Sequence, residues 1–256
     1  MMPALHDSIR RPHAAYAPFD SIDEAMARLR DAAALTDWFD ALASAGRSVG
    51  FDYTTFVLLP GGGLHCDDAF VRSNCAPGMV RLYRNGKTAR TCPLLGYACA
   101  HTSAVLWSEE WYVAPGERDL YRQVRDAGLR WGVLLPVHGP RCKSGMLSFS
   151  SGADTEIARR EAMAQLALLG WVRDAAIETA LPHVERYFAS ILPKFTPRES
   201  EIMKWWVFGK TASEISLILD CSQSAINFHL ANIRTKLGVN TSRAAGVKAI
   251  ELGLLK

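Results

Sequence analysis

The chain has 256 residues, room for two domains at ~100–200 residues each, and with 49% hydrophobic and 21% charged residues it is excluded from the disordered class. Twenty-nine Lys and Arg against 26 Asp and Glu leave a net charge of +3, too small to mark a nucleic-acid binder by itself. The most apolar run, residues 162–172, is 11 residues long and falls short of the ~18–20 that cross a bilayer.

The first 20 residues carry three prolines, no periodicity and no signal-peptide core, so they read as a loose arm of a cytoplasmic protein. Ser21 and Glu24 have the spacing of a capping box and open an expected helix to about Ala34, with a second over residues 36–47. Gly50 ends it, and the β-branched and aromatic run 51–59 predicts a strand. A turn at 60–63 leads to a returning strand at 69–72, followed by helical segments at 78–84 and 117–127. Two further strands, 132–137 and 145–150, flank a turn at 138–143. The apolar-periodic stretch 155–180 predicts one long helix that stops before Pro182. Helices, hairpin strands and a closing helix predict an α+β domain over 21–180, an antiparallel sheet covered by helices, with a linker at 181–194. The six cysteines, Cys66, Cys75, Cys92, Cys99, Cys142 and Cys221, show neither C-x-x-C nor zinc-ligand spacing, so free thiols and no metal are expected.

From Phe195 the character changes to short capped helices, an all-α four-helix module over 195–256. Thr196, Pro197 and Glu199 combine an N-cap hydroxyl, a first-turn proline and a capping carboxylate. Thr211 and Glu214 repeat the box, Ser222 caps a third helix, and Asn240 or Thr241 a fourth. Counted from Lys194, this segment holds nine basic and five acidic residues, so it carries +4 and the remainder −1. On its third helix Ile226, Leu230, Ile233 and Leu237 form a core stripe about 80° wide. The opposite arc presents Ser224, Asn227, Phe228, Ala231, Asn232 and Thr235 without an acid, and Arg234 and Lys236 flank the stripe. A short helix, a tight turn and such a face is helix-turn-helix organisation, whose second helix enters the major groove. Amides and hydroxyls can read base edges there, and Phe228 can lie on a thymine methyl or a sugar. Lys210, Arg234 and Lys236 are expected on phosphates, with the amides of the helix start at Thr211 holding another.

The run from Phe195-Thr196-Pro197-Arg198-Glu199 through Gly209-Lys210-Thr211 to Lys236-Leu237-Gly238 resembles the DNA-binding domain of LuxR-type transcriptional regulators. The resemblance implies that Glu199, Met203 and Gly209 shape the domain and that the last helix, 241–252, supports dimer pairing. A two-fold homodimer reading double-stranded DNA at an inverted repeat is the expectation, with RNA polymerase as a further partner.

The preceding region lacks the acidic set of a phosphoacceptor receiver. It is similar to the acyl-homoserine-lactone-binding domain of quorum-sensing receptors in the run from Gly50 to Phe56, the Tyr83–Pro93–Trp107–Gly132 spacing, the run from Asp126 to Pro136, and Met146-Leu147-Ser148. That resemblance implies a mostly apolar site lined by Thr55, Met79, Tyr83, Cys92, Trp107, Gly132 and Ser148. Two positions depart from the family pattern. Met79 stands where a Trp donates to the lactone carbonyl, and Cys92 stands where an Asp accepts from the ligand amide. Met offers no donor and Cys is a poor acceptor, so an acyl-homoserine lactone loses at least about tenfold in affinity here. Gating by that lactone or another small amphiphilic signal heads the functional readings. A ligand-independent regulator whose pocket is self-filled by Met79 comes second. Redox tuning through Cys92 and Cys99, and an enzyme using one of these thiols with His101 as base, come last.

Overall fold

The computed structural model describes residues 22–60, 68–86, 91–140 and 143–255. The arm, Ser21, the glycines of the 60–63 turn, Cys66 and Cys142 lie outside the described residues. Helices α1 (Ile22–Asp31) and α2 (Leu35–Ser48) open the chain. In α2, Trp38, Ala41, Leu42 and Ala45 fall on one face and are buried, and Gly50 at φ +91° turns the chain into the sheet. Five antiparallel strands follow, β1 (Tyr53–Leu59), β2 (Phe70–Ser73), β3 (Val105–Trp107), β4 (Trp131–Gly139) and β5 (Lys143–Ser151), in the order β2-β1-β5-β4-β3.

The sheet is buried on both faces, as its alternating side chains require. Phe56, Leu58, Phe70, Val133, Leu135, Leu147 and Phe149 point to a core closed by α1, α2 and the long α7 (Leu166–Ile191). Val57, Leu59, Val71, Leu134 and Met146 point the other way, under α3 (Pro77–Tyr83), α4 (Pro93–Ala100) and α5 (Pro115–Asp126). Trp38 reaches across the first core, its indole N–H donating to Thr179 Oγ1 at 2.9 Å.

Two elements differ from the expected layout. The predicted 155–180 helix is two, α6 (Glu156–Ala164, capped by Thr155) and α7, broken at Gln165. Helix α7 does not stop before Pro182 but carries it inside and continues through most of the expected linker. A mid-helix proline costs about 3 kcal/mol. Ala180, Val184 and Phe188 are buried in the sheet's core, and Tyr187 O–H donates to Ala69 O at 3.2 Å, so tertiary contacts on both sides of Pro182 outweigh the lost bond. Helix α4 and strand β3 are further additions. Pro-Leu-Leu-Gly-Tyr-Ala-Cys-Ala is apolar almost all round and offers no helical stripe to detect.

The C-terminal module has four helices among the described residues: α8 (Pro197–Val207), α9 (Ala212–Ile218), α10 (Gln223–Leu237) and α11 (Ser242–Glu251). Each expected cap is in place. Thr196 and Glu199 exchange bonds across one box and Thr211 and Glu214 across the next; Ser222 accepts from Ala225 N–H, and Thr241, rather than Asn240, accepts from Ala244 N–H. Gly238 at φ +63° closes α10 in the left-handed conformation. Ile226, Leu230, Ile233 and Leu237 are buried against Ile202, Met203, Ile215, Ala245 and Ala249. No helix of the described residues is long and apolar enough to cross a membrane.

Candidate functional site

The seven residues expected to line a ligand site come together on the sheet face under α3, α4 and α5. Register places Thr55, Ser148, Leu134 and Val105 in one row across four strands, with Tyr53, Ser150, Gly132 and Trp107 in the next row but one along each strand. Trp107 indole N–H donates to Ser148 Oγ at 3.2 Å, and Ser148 Oγ is hydrogen-bonded to Ser150 Oγ at 3.4 Å. Gly132 is required here by contact. A Cβ on it would meet Phe149 O at 2.3 Å and Trp107 Nε1 at 2.8 Å. Thr55 Oγ1 lies 2.8 Å from Ser73 Oγ and 3.6 Å from Cys75 Sγ, so it is satisfied within the strands.

Above those rows sit Met79 and Tyr83 from α3 and Cys92 at the N-cap of α4, all buried. Burial pushes the Cys92 thiol up to about 11, and the amides of Leu94 and Leu95 offset only part of the rise. Burial, then the nearby thiols of Cys92 and Cys75, raises the Tyr83 phenol well above its ordinary value. Tyr112 and Cys75, which sequence reasoning did not single out, belong to the same cluster. Tyr112 is also raised well above its ordinary value by burial and then by Cys92 and Tyr83. Nothing in the local pattern around Tyr112 announces it; it follows a short 3-10 turn, Glu109–Trp111, and gains its place only from the fold.

The residue pairs named by the enzymatic and redox readings lie apart along α4. Cys92 and His101 cap opposite ends of α4, about 13 Å apart along its axis, and His101 Nδ1 stands 3.1 Å from Tyr97 O. Cys99 lies about 10 Å along that helix from Cys92, beyond the Cα separation a disulfide spans. Cys75, Cys92, Cys99 and Cys221 are all free.

On α10 the expected outward face is exposed or half-buried, and Phe228 is 63% exposed. The amides of Asn227 and Asn232 have no hydrogen-bond partner among the described residues, whereas Thr235 Oγ1 donates back to Ala231 O at 3.2 Å and Ser224 Oγ pairs with Ser222 Oγ at 2.9 Å. Lys210 is paired with Glu214 at 3.3 Å, both exposed, a bond weak enough to yield to a phosphate.

Three of the groups expected on phosphates have partners within the protein. Lys236 is not free: its Nζ lies 2.6 Å from Glu199 Oε2 and donates to Lys194 O at 3.1 Å. The Glu199 carboxylate is buried and the Lys236 ammonium is partly exposed. Arg234 donates to Ser242 Oγ at 3.1 Å and so braces α10 against α11. The amide of Thr211 donates to Glu214 Oε2 at 2.8 Å, leaving this helix start less open to an anion than its sequence implies.

Residues 34–180 match the family model described as an autoinducer binding domain, and residues 193–249 match that of bacterial regulatory proteins, luxR family. The chain is 25% identical over 220 residues to the transcriptional activator protein AnoR of Acinetobacter nosocomialis, covering 85% of this chain and 91% of that protein. It is 31% identical over 235 residues to the transcriptional repressor ThaA of Burkholderia thailandensis, covering 89% and 95%. Its fold is similar to the crystal structure of Escherichia coli SdiA, with a TM-score of 0.67 at 20% identity over 92% of this chain and 98% of that one.

Proposed function

The chain belongs to the luxR family of bacterial regulatory proteins as a quorum-sensing transcriptional regulator with an autoinducer binding domain, and on that premise we propose how its two sites work. A small amphiphilic signal enters the Tyr83–Cys92–Trp107 site and favours a two-fold dimer that reads an inverted repeat with α10. RNA polymerase is the partner through which bound regulator acts, and the cytoplasm is the compartment. The observation that carries the DNA half is the acid-free outward face of α10, where the Asn227 and Asn232 amides have no hydrogen-bond partner among the described residues and Phe228 is exposed.

The test is binding to a duplex selected from a random library, measured at several salt concentrations. Asn227→Ala is expected to cost about 1–3 kcal/mol at the selected site and to relax preference at one position. Lys210→Ala is expected to weaken all sequences alike and to flatten the salt slope by about 1. Unchanged binding in both variants moves the interface off this face.

A second reading is favoured by Met79, only 4% exposed within the sensor cluster, where its side chain stands in for a ligand. Purification without any signal separates the two. Operator binding in full, with no small molecule carried along, selects the self-filled regulator; insolubility rescued by one compound class selects gating.

A further inference from the structure

The sensor cluster is apolar and carries phenol and thiol groups, with the Glu117 carboxylate near enough to act on Cys92 and Tyr112. Tyr83 and Tyr112 are 6% and 4% exposed, and neither phenol has a hydrogen-bond partner among the described residues. Their neighbours in the cluster are the Cys92 and Cys75 thiols. Each hydroxyl therefore keeps its proton free to donate to an incoming acceptor. The strong acceptor that an amide ligand would need is missing. Glu117, the carboxylate whose charge reaches both Cys92 and Tyr112, spends Oε2 on the amides of Val113 and Ala114, each at 2.9 Å. Ser148 already accepts from Trp107, and Thr55 is engaged by Ser73. Among the described residues the buried charged side chains are Lys143 and Glu199, and neither is one of the residues expected to line the site, so an ionic head group gains no fully buried counter-charge from that set.

Resting on the gated reading above, we propose that the site takes an uncharged acyl ligand held by its oxygens, an ester or ketone in preference to an amide or an acid. The Tyr83 and Tyr112 hydroxyls donate to the head-group oxygens, and the acyl chain lies along Val57, Leu134 and Met146. Both phenols and the Cys92 thiol stay protonated at neutral pH, because burial raises all three, so the donors persist throughout the physiological range.

The test titrates the full chain, purified without signal, by calorimetry at pH 7.5 with three probes of equal chain length. These are N-decanoyl-homoserine lactone, its ester isostere in which the amide N–H is replaced by oxygen, and decanoate. The ester is expected to bind at least as tightly as the amide, with decanoate weakest, and Tyr83→Phe and Tyr112→Phe each to weaken the ester about fivefold. Tighter binding of the amide or of decanoate than of the ester overturns the ligand class and leaves gating intact. Unchanged ester affinity in both Phe variants overturns the assigned donors. No binding of any probe, with operator bound in full, overturns the gated reading and this proposal with it.

Discussion

Glu199→Ala is expected to destabilise the DNA-binding module by about 2–3 kcal/mol, below the ~3–5 of a fully buried pair because Lys236 is 35% exposed and rehydrates when released. The carboxylate does three things at once. It closes the cap at Thr196 N–H, pairs with Lys236, and so ties the C-terminal end of α10 to the entry of α8. Glu199→Gln keeps the cap and is expected to lose about half as much. Urea unfolding of the full chain, resolved into its transitions, checks both, and a module that unfolds unchanged in the Ala variant removes the clasp.

The pair also sets a pH dependence. Burial alone raises the Glu199 carboxyl, but the Lys236 ammonium and the Thr196 amide and hydroxyl overcome that, and its net position lies below the ordinary 4.5. A lowered carboxylate stabilises the fold fully above its unfolded value and loses that contribution as pH falls through its folded value. Module stability is therefore expected to hold from neutrality to about pH 5 and to fall below 4.5. Lys236→Ala is expected to lower stability while leaving the salt slope of DNA binding unchanged; a flattened slope would return Lys236 to the phosphate backbone.

Gly132→Ala carries the second large effect. The added methyl would stand 2.3 Å from Phe149 O and 2.8 Å from Trp107 Nε1, and the first of these is backbone that cannot swing aside. Strand β4 must shift from β5 or β3 must part from β4, at an expected cost of about 3 kcal/mol. The Trp107–Ser148 bond goes with it, and with that bond the floor of the ligand site. Calorimetry is expected to show the sensor transition about 6–12 °C lower, with any ligand-induced rise in that transition abolished. An unchanged transition would mean that Trp107 does not lie over Gly132.

The legibility of this chain followed the range of the interactions involved. The caps at Thr196, Thr211, Ser222 and Thr241 are formed by residues three apart, and all four are read from sequence and found in place. The α10 core stripe is equally local. The strands at 53–59, 131–139 and 143–151 follow from their β-branched and apolar content, although their ends differ by one or two residues. The sensor residues were found through family spacing, and the sheet brings them together because Thr55, Ser148 and Gly132 share one side of adjacent strands.

By itself the sequence determined the two-part character of the protein, the helix-turn-helix with its acid-free outward face, and the thiol at position 92. Tertiary structure decided what those groups touch. It carried α7 through Pro182 by burying Val184 and Phe188, and it turned Lys236 from a free cation into the partner of a carboxylate 37 residues away. It also brought Tyr112 to Tyr83 and Cys92. Caps and stripes are fixed by neighbours within a turn or two, whereas pairing across the chain depends on which surfaces are buried together, and only the packed fold sets that.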